Sequence, residues 1–421
     1  MMPIYTVEKS GFQQLLKDFD PKYQLPSRKY FSNQAIPKLY NETKESILQH
    51  LRSAEFFSAT SDMWSSNTME PYMSYTVHYI DPDWKLQSRC LQTLYVPADH
   101  TAENLADGMK EILEHWHLSS TKQVCITTDS GANVVKAVRD LDWLWMSCFG
   151  HNLHLAITNA MKDENRISRV IGVCKRIVTA FSQSWKRHRE LSKAQLELKL
   201  PVKSLVSDAT MAADDDTTLT ADLKAGIRAD FQKRYTSDLT QTLQSVATWL
   251  DPRYKSAYLT EEECRNATQK LKELMTFEVE RAGNAANETG QRQNNDSNAS
   301  ADNNEDNQPP AKKVKKSLAK LLGQVKKTSD PGNATTPADR IDLEMSRYVS
   351  APEIELDADP LQWWSMHAAA YPSLAKLARK YLCICGTSCA SERLFSVAGN
   401  IVTAKRSLLK VDMLVFLAKN L

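Results

Sequence analysis

The feature that most constrains this chain is a change in hydrophobic period near residue 56. From there to residue 96, apolar and polar residues alternate with a period of two, in stretches rich in Tyr, Val, Thr and Trp. Short polar turns at Asn67-Thr68 and Asp81-Pro82-Asp83 separate these stretches. Alternation bounded by turn residues is typical of β-strands. We therefore predict three successive antiparallel strands, over Phe56–Trp64, Pro71–Ile80 and Trp84–Val96.

Beyond residue 96, helical patterns alternate with single strands. The predicted elements, in order, are a helix over Thr101–Trp116, a strand over Gln123–Thr128, a helix over Ala132–Arg139, a strand over Trp143–Cys148, and one long helix from His151 to about Leu191. The apolar strand Gln123–Thr128 belongs at the centre of a sheet, where both of its faces are buried. The order βββαβαβα predicts an α/β protein with a ribonuclease-H-like mixed sheet and flanking helices.

Size and charge limit the functions open to the chain. Its 421 residues are enough for about two or three domains. With 53 basic and 51 acidic residues the net charge is +2, so any contact with nucleic acid must come from a local patch. No apolar run approaches the ~18 residues of a membrane span, so we expect no membrane partner. Eight cysteines, most of them in apolar runs, and charged opening residues indicate a reduced intracellular compartment.

The C-terminal stretch Cys383–Asn420 contains two apolar helical patterns and a single glutamate at the start of the first. Its recognisable residues are Thr387-Ser388, Ser391-Glu392-Arg393-x-Phe395-Ser396, Gly399, Arg406-x-x-Leu409 and Leu414-x-Phe416-Leu417-x-x-Asn420. This pattern resembles the C-terminal dimerisation segment of the hAT superfamily of DNA transposases and their host-adopted descendants, including the zinc finger BED domain-containing proteins. The resemblance implies a homodimer, or a heterodimer with related hAT proteins, formed through Phe395, Leu414, Phe416 and Leu417.

Composition and this resemblance together divide the chain into five parts. Residues 1–54 are an opening helical segment, 55–200 the first part of the ribonuclease-H-like core, 201–282 a helical remnant of an insertion region, 283–340 a disordered linker with a basic run, and 341–421 a C-terminal dimerisation region that completes the core. The linker is predicted because Gly283–Pro310 has almost no large apolar residue to bury. Trp363 and Trp364, in an apolar helical frame, are predicted core residues.

Three acidic residues are candidates for a metal site. Asp62 lies near the end of the first strand, Asp129 closes the central strand, and Glu392 begins a helix. In a ribonuclease-H-like sheet the two strands are neighbours, and three carboxylates from separate elements suit Mg²⁺ or Mn²⁺. The resemblance matches these three residues to the catalytic triad of hAT transposases. The alternative for each is local: either aspartate can cap a turn, and Glu392 can complement a helix N-terminus.

Cys148, His151 and His154 are a weaker metal candidate. Cys148-Phe149-Gly150-His151 resembles a Cys-x-x-His element of the same family. The three side chains provide three ligands, but a structural zinc normally has four and no fourth is evident nearby. Packing against the edge of the sheet is the favoured alternative. The remaining cysteines near the C-terminus lack the paired spacing of a zinc site and are predicted to be buried thiols.

Two basic segments are candidates for contacts with other macromolecules. Lys312, Lys313, Lys315 and Lys316 follow the predicted linker, where an import receptor can reach them, and we expect a nuclear protein; the alternative is the solvated flank of a helix. Lys175, Arg176 and Lys186 to Arg189 give the long helix a basic end. They suit DNA phosphates, although a solvated face is the favoured interpretation.

Two elements of the related proteins are missing from the sequence. No Cys-x2-Cys followed by a His pair occurs, so we expect no BED zinc finger. Between Leu200 and Asp216 the family carries a long helical insertion with an Arg-Trp motif, and that block is missing. We therefore expect a host-adopted hAT derivative: a nuclear, dimerising protein with a DNA-binding or transcription-regulatory role and without transposition activity or a cofactor. The alternatives are a metal-dependent transposase or nuclease using Mg²⁺ or Mn²⁺, and a truncated subunit that only dimerises.

Overall fold

The computed structural model describes residues 4–66, 69–199, 218–293, 336–389, 391 and 411–421. The chain divides into two compact units. The first comprises Met1–Leu243 with Arg379–Leu421, and the second comprises Gln244–Ala378. None of the helices in the described ranges is long and apolar enough to cross a bilayer.

A five-stranded mixed sheet forms the centre of the first unit. Its strands are β1 (Phe57–Ser65), β2 (Pro71–Ile80), β3 (Leu86–Tyr95), β4 (Gln123–Thr128) and β5 (Trp145–Ser147), and their order across the sheet is β3-β2-β1-β4-β5. The first three strands pair antiparallel, as predicted, whereas β4 pairs parallel with both β1 and β5. The predicted central strand is therefore an interior strand beside β1.

The described ranges contain fourteen helices of eight or more residues. They are α1 (Ser10–Phe19), α2 (Ile36–Ser53), α3 (Ala102–His115), α4 (Ala132–Asp140), α5 (Phe149–Asp163), α6 (Asn165–Ser182), α7 (Trp185–Glu197), α8 (Thr218–Gln232), α9 (Asp238–Leu250), α10 (Glu261–Gln293), α11 (Pro337–Ser350), α12 (Pro360–His367), α13 (Pro372–Tyr381) and α14 (Val411–Asn420).

The single long helix predicted from His151 was wrong, because the chain breaks twice in that range. Glu164 and Ser184 both have extended backbone, with ψ of 100° and 105°. Each of them caps the helix that follows: the Glu164 carboxylate accepts a hydrogen bond from the Arg166 amide at 3.0 Å, and Ser184 Oγ accepts one from the Arg187 amide at 3.4 Å. Side chains that can satisfy amides at a helix start compete with a continuous helix at these positions.

The predicted linker is too long at both ends. Helix α10 continues to Gln293, past residue 283 where the linker was predicted to begin, although this stretch includes Gly283 and Gly290. At the other end α11 begins at Pro337, where Thr336 and Asp339 form a reciprocal capping box. The intervening residues 294–335, including Lys312, Lys313, Lys315 and Lys316, lie outside the described residues, as do 200–217.

The second unit has an aromatic core around two adjacent tryptophans. Trp364 is fully buried and Trp363 is 7% exposed, which confirms their prediction as core residues. The Trp364 indole Nε1 donates to the Leu250 carbonyl at 3.0 Å, and Tyr348 stacks on the same ring with centroids 5.3 Å apart. The buried Lys255 ammonium donates to the carbonyls of Tyr348 and Ala351 at the C-terminal end of α11, where cations are favoured.

One face of the sheet is apolar. Alternate residues of β1 and β2 point to this face, and Phe57, Ala59, Met73, Tyr75 and Val77 among them are buried. The face packs against α2 and α3. Helix α14 also contributes to this core, because Phe416 and Leu417 belong to the same buried cluster.

Helix α14 is buried in the core of its own chain, whereas its apolar side chains were predicted to contact a partner in a dimer. Leu414, Phe416 and Leu417 are only 5%, 1% and 3% exposed within their own chain. The Phe416 ring packs against Tyr40 and Trp116, with centroid separations of 4.8 and 5.7 Å. An apolar helical stripe has the same sequence pattern whether it packs in its own chain or on a partner. Phe395, the fourth predicted contact, lies outside the described residues.

The opposite face of the sheet carries hydroxyl groups. Ser58 Oγ donates to the Cys383 carbonyl at 2.6 Å, and Thr127 Oγ1 donates to the Cys385 carbonyl at 2.7 Å. Thr60 Oγ1 lies 3.2 Å from Ser391 Oγ. These contacts hold the segment around Cys383–Ser391 against β1 and β4. Buried hydroxyl groups need such hydrogen-bond partners. We call this surface the hydroxyl face.

His78 on β2 extends this network. Its Nε2 lies 3.1 Å from Thr60 Oγ1, and the side chain is only 2% exposed. Burial lowers the pKa of His78 from 6.5 to about 4, because a charged imidazolium would lose its hydration. The imidazole is therefore neutral in the folded protein near pH 7.

Replacing Phe416 with alanine is expected to destabilise the folded chain by about 3–5 kcal/mol, since a large buried aromatic leaves a cavity. Urea unfolding measures the loss. The same substitution at Phe19, which is 81% exposed on α1, is the control and should change stability by less than about 0.5 kcal/mol. If Phe416 packs within its own chain, the loss is independent of protein concentration. A loss that disappears on dilution would instead place this side chain in a dimer contact.

The stability of the wild-type chain should depend on pH through His78. Between pH 6.5 and about 4 the unfolded chain binds a proton that the folded chain does not, so stability falls as the pH falls through this window. From about pH 7 to about pH 5 the wild type should lose roughly 2 kcal/mol more than the variant His78→Gln. Urea unfolding at both pH values provides the comparison. Equal losses in the two proteins would contradict a neutral buried His78.

Candidate functional site

The parallel pairing of β1 with β4 brings two of the predicted acidic residues to the same level on neighbouring strands. Ala59 pairs with Ile126 and Thr60 pairs with Thr127. Asp62 and Asp129 each lie two residues beyond the second of these pairs, so they occupy equivalent positions on neighbouring strands. Adjacent strands lie about 4.8 Å apart, and every second side chain points to the same face. Both carboxylates therefore belong to the hydroxyl face, Asp62 within the second half of β1 and Asp129 one residue beyond the end of β4.

Local hydrogen bonds hold each carboxylate, and both aspartates are half-buried. Asp62 Oδ1 accepts from the Met63 amide at 2.8 Å, and Asp129 Oδ1 accepts from the Gly131 amide at 3.2 Å. A Cβ at residue 131 would lie only 3.2 Å from Asp129 Oδ1, so glycine at this position leaves room for the carboxylate. Turn capping, the alternative considered for Asp129, thus takes place, and it uses one carboxylate oxygen.

The third predicted acid, Glu392, lies outside the described residues. Ser391, which precedes it in sequence, is fully buried and contacts Thr60 on the hydroxyl face. Within the ranges that the structure describes, no three His, Cys, Asp or Glu side chains are grouped so that they could hold a metal ion. The described acidic site is therefore a pair, Asp62 and Asp129.

The chemistry of this pair fits a magnesium or manganese ion. Both ligands are carboxylates, which are the hard oxygen donors that these ions prefer. Mg²⁺ is commonly bound through one or two protein carboxylates, with water or substrate phosphates completing its coordination. Asp62 on β1 and Asp129 directly after β4 would hold such an ion between these two interior strands.

Cys148 has a structural role that its sequence pattern did not predict. It is buried at the N-terminus of α5, and its Sγ accepts hydrogen bonds from the amide and hydroxyl groups of Ser388, both at 3.3 Å. The neighbouring amide of Phe149 donates to the Gly386 carbonyl at 2.8 Å. Cys148 therefore connects α5 to the C-terminal segment on the hydroxyl face. No local signal indicates this role, because Ser388 lies 240 residues away.

The structure does not group Cys148, His151 and His154 around a common point. Cys148 caps α5 and accepts from the His151 amide at 3.5 Å, whereas the His154 side chain is exposed on the same helix. Helical geometry separates a capping residue from a side chain six positions later, and the buried thiol already has hydrogen-bond donors. The three-ligand metal site considered for these residues is thus absent from this part of the described chain.

Comparison with known proteins identifies two regions of the chain. Residues 60–152, which include both aspartates, match the ZBED1 RNase-like domain, and residues 344–421 match the hAT family C-terminal dimerisation region. The first match confirms the predicted ribonuclease-H-like fold class, and the second confirms the resemblance of the C-terminal stretch to the hAT dimerisation segment.

Similar proteins occur in animals and plants. Human zinc finger BED domain-containing protein 4 is 23% identical over 515 residues, covering 100% of this chain and 42% of the relative. A putative AC transposase from Zea mays is 28% identical over 213 residues, covering 47% of this chain and 26% of the relative. Human zinc finger BED domain-containing protein 6 is 26% identical over 227 residues, covering 50% and 23%. This chain thus spans less than half the length of each of these relatives.

The two matched regions, the relatives and the mixed sheet agree with one another. The chain contains a ZBED1 RNase-like domain and an hAT family C-terminal dimerisation region, and its homologues include AC transposases and zinc finger BED domain-containing proteins.

Proposed function

We propose that this chain is a host-adopted hAT transposase derivative: a nuclear protein that dimerises and binds DNA or regulates transcription, and that does not catalyse transposition. The observation that carries the proposal is the pair Asp62 and Asp129, which lie in equivalent positions on two parallel strands. The names of the relatives, which include both transposases and BED-domain proteins, support the same lineage. The matched dimerisation region supports a homodimer or a heterodimer with a related chain.

In this proposal the acidic pair is the inherited part of a phosphodiester-transfer site. If activity is retained, Asp62 and Asp129 would hold Mg²⁺ or Mn²⁺, and Glu392 is the proposed third carboxylate. Bound divalent ions would activate a water or a 3′-hydroxyl and stabilise the leaving oxygen. The chain's own contribution is to position Asp62 on β1 and Asp129 directly after β4, and Gly131 leaves the space that Asp129 needs.

The loss of transposition is inferred from residues that a relative has and this chain lacks. The alignment with human zinc finger BED domain-containing protein 4 extends over 515 positions, against 421 residues here, so that relative contains residues with no counterpart in this chain. The sequence lacks the helical insertion with an Arg-Trp motif between Leu200 and Asp216. A transposase needs such elements to hold a transposon end, whereas a regulator does not.

A metal-dependent DNA nuclease or transposase is the second candidate function, and the same acidic pair favours it. Two carboxylates at adjacent strand ends are sufficient to bind the ion that this chemistry requires. A third candidate, a truncated subunit that only dimerises, would use the C-terminal region and leave the acidic pair without a role. The basic run at Lys312, Lys313, Lys315 and Lys316 is the proposed nuclear import signal in all three cases.

Metal binding and DNA nicking together test the proposal. Isothermal titration of the full chain with Mn²⁺ should show one binding process that Asp62→Asn and Asp129→Asn each weaken by about tenfold or more, because each variant loses a charged ligand. The matched control is Asp107→Asn, on the exposed surface of α3, which should bind Mn²⁺ as the wild type does.

Supercoiled DNA incubated with Mn²⁺ and the wild-type chain should remain intact. Nicking that is lost in Asp129→Asn would establish the nuclease function and contradict the proposed regulator. Mn²⁺ binding that is unchanged in both aspartate variants would refute the inherited metal site.

A further inference from the structure

Helices α6 and α7 contact each other, and neither helix has a buried residue. Their side chains are all exposed or half-exposed, in contrast to α3, which buries seven residues. Packing in the core therefore does not explain the amino-acid composition of these two helices.

The charge on these two helices is strongly one-sided. Together they carry eight Lys and Arg residues and only two acidic residues, Glu190 and Glu197, and α6 has no acidic residue at all. The chain as a whole has a net charge of only +2, so this excess is a local property of the pair. A concentrated basic surface on a nearly neutral protein is the electrostatic pattern expected of a phosphate-binding site.

An exposed aromatic residue lies within this basic surface. Trp185, the first residue of α7, is 71% exposed, and the Arg189 guanidinium lies 4.8 Å from its ring centroid. Residues 185, 189 and 193 are spaced by four, so Trp185, Arg189 and Lys193 lie along one side of the helix, and Lys186 borders them. We call these four residues the Trp185 cluster.

Solubility alone accounts poorly for this arrangement. A solvated helix face needs charges, but it does not need a tryptophan with most of its surface in water. Glu190 pairs with Arg189 at 3.1 Å and with Lys193 at 3.4 Å, and these exposed ion pairs are weak and easily exchanged for phosphate. An exposed indole between cations provides both a stacking surface for a base and charges for its backbone.

We infer that the Trp185 cluster binds single-stranded nucleic acid, with Trp185 stacking on an unpaired base and Lys186, Arg189 and Lys193 contacting the adjacent phosphates. This inference rests on the proposed DNA-binding role and names the surface and the form of nucleic acid. It does not depend on the acidic pair at Asp62 and Asp129. Unpaired bases are favoured over duplex because only they expose a face to the indole.

The inference is tested by fluorescence anisotropy of the full chain with a labelled oligothymidine of about 30 nucleotides and with a duplex of about the same length, across a salt series. Lys186→Gln combined with Arg189→Gln should weaken binding and lower the salt slope for the single strand by about 1.4, since each phosphate contact contributes about 0.7. Lys38→Gln with Arg52→Gln, which removes the same charge from exposed positions on α2, is the matched control and should leave the slope unchanged.

Two single variants separate stacking from charge. Trp185→Ala should weaken single-strand binding by about tenfold and duplex binding much less. Glu190→Gln should strengthen binding, because it removes the acid that competes with phosphate for Arg189 and Lys193. Far-UV circular dichroism should be the same for all variants, since the replaced side chains are exposed.

The outcomes distinguish this inference from the proposed function. Strong binding that is insensitive to the Trp185 cluster, or equally sensitive to the control pair, would overturn the inference and leave the DNA-binding role in place. No binding of either oligonucleotide by the wild type would overturn both. A Trp185→Ala variant that sediments as a smaller species but binds nucleic acid normally would assign the surface to a protein partner instead.

Discussion

The parallel pairing of β1 with β4 is the interaction on which the rest of the first unit depends. Its register, with Thr60 opposite Thr127, determines which residues point to the same face of the sheet and which lie opposite one another on the two strands. One consequence is the acidic pair, because Asp62 and Asp129 follow these threonines by the same number of residues. Another is the row of buried hydroxyls, which must find hydrogen-bond partners once the face is covered. Those partners come from the segment around Cys383–Ser391, more than 250 residues away in sequence.

The C-terminal part of the chain packs against both faces of the same sheet. On the hydroxyl face the main chain at Cys383 and Cys385 accepts from Ser58 and Thr127. On the apolar face α14 buries Phe416 against Tyr40 and Trp116, and its Asn420 amide donates to the Cys90 carbonyl at 2.7 Å. The region that matches the hAT dimerisation segment therefore also completes the fold of its own chain. Stability and assembly are linked in this region, because the same helix cannot leave the core without exposing large aromatic surface.

The strands and the acidic pair were predictable because their signals are local. A period of two marked β1 to β3, and the element order alone placed Asp62 and Asp129 on neighbouring strands. The breaks at Glu164 and Ser184 were missed because the apolar spacing continues across them and only the capping side chains differ. The roles of Cys148 and of the Ser58 and Thr127 hydroxyls depend on contacts across hundreds of residues, which no local pattern carries. Phe416 was assigned to a dimer contact because an apolar helix face does not reveal which surface covers it.

The most direct test of the β1–β4 register is disulfide cross-linking of a double variant, Asp62→Cys with Asp129→Cys. Residues opposite one another on adjacent strands lie within the Cα separation of roughly 4.4–6.8 Å that a disulfide requires. Peptide mapping by mass spectrometry after mild oxidation should therefore find a bond between these two positions. In the out-of-register pair Ser58→Cys with Asp129→Cys, the two introduced cysteines are offset by about 13 Å along the strand and should not be linked to each other. Cross-linking between the offset pair but not between the first pair would contradict this register. Asp62 and Asp129 would then not lie opposite each other, and the proposed metal site would be excluded.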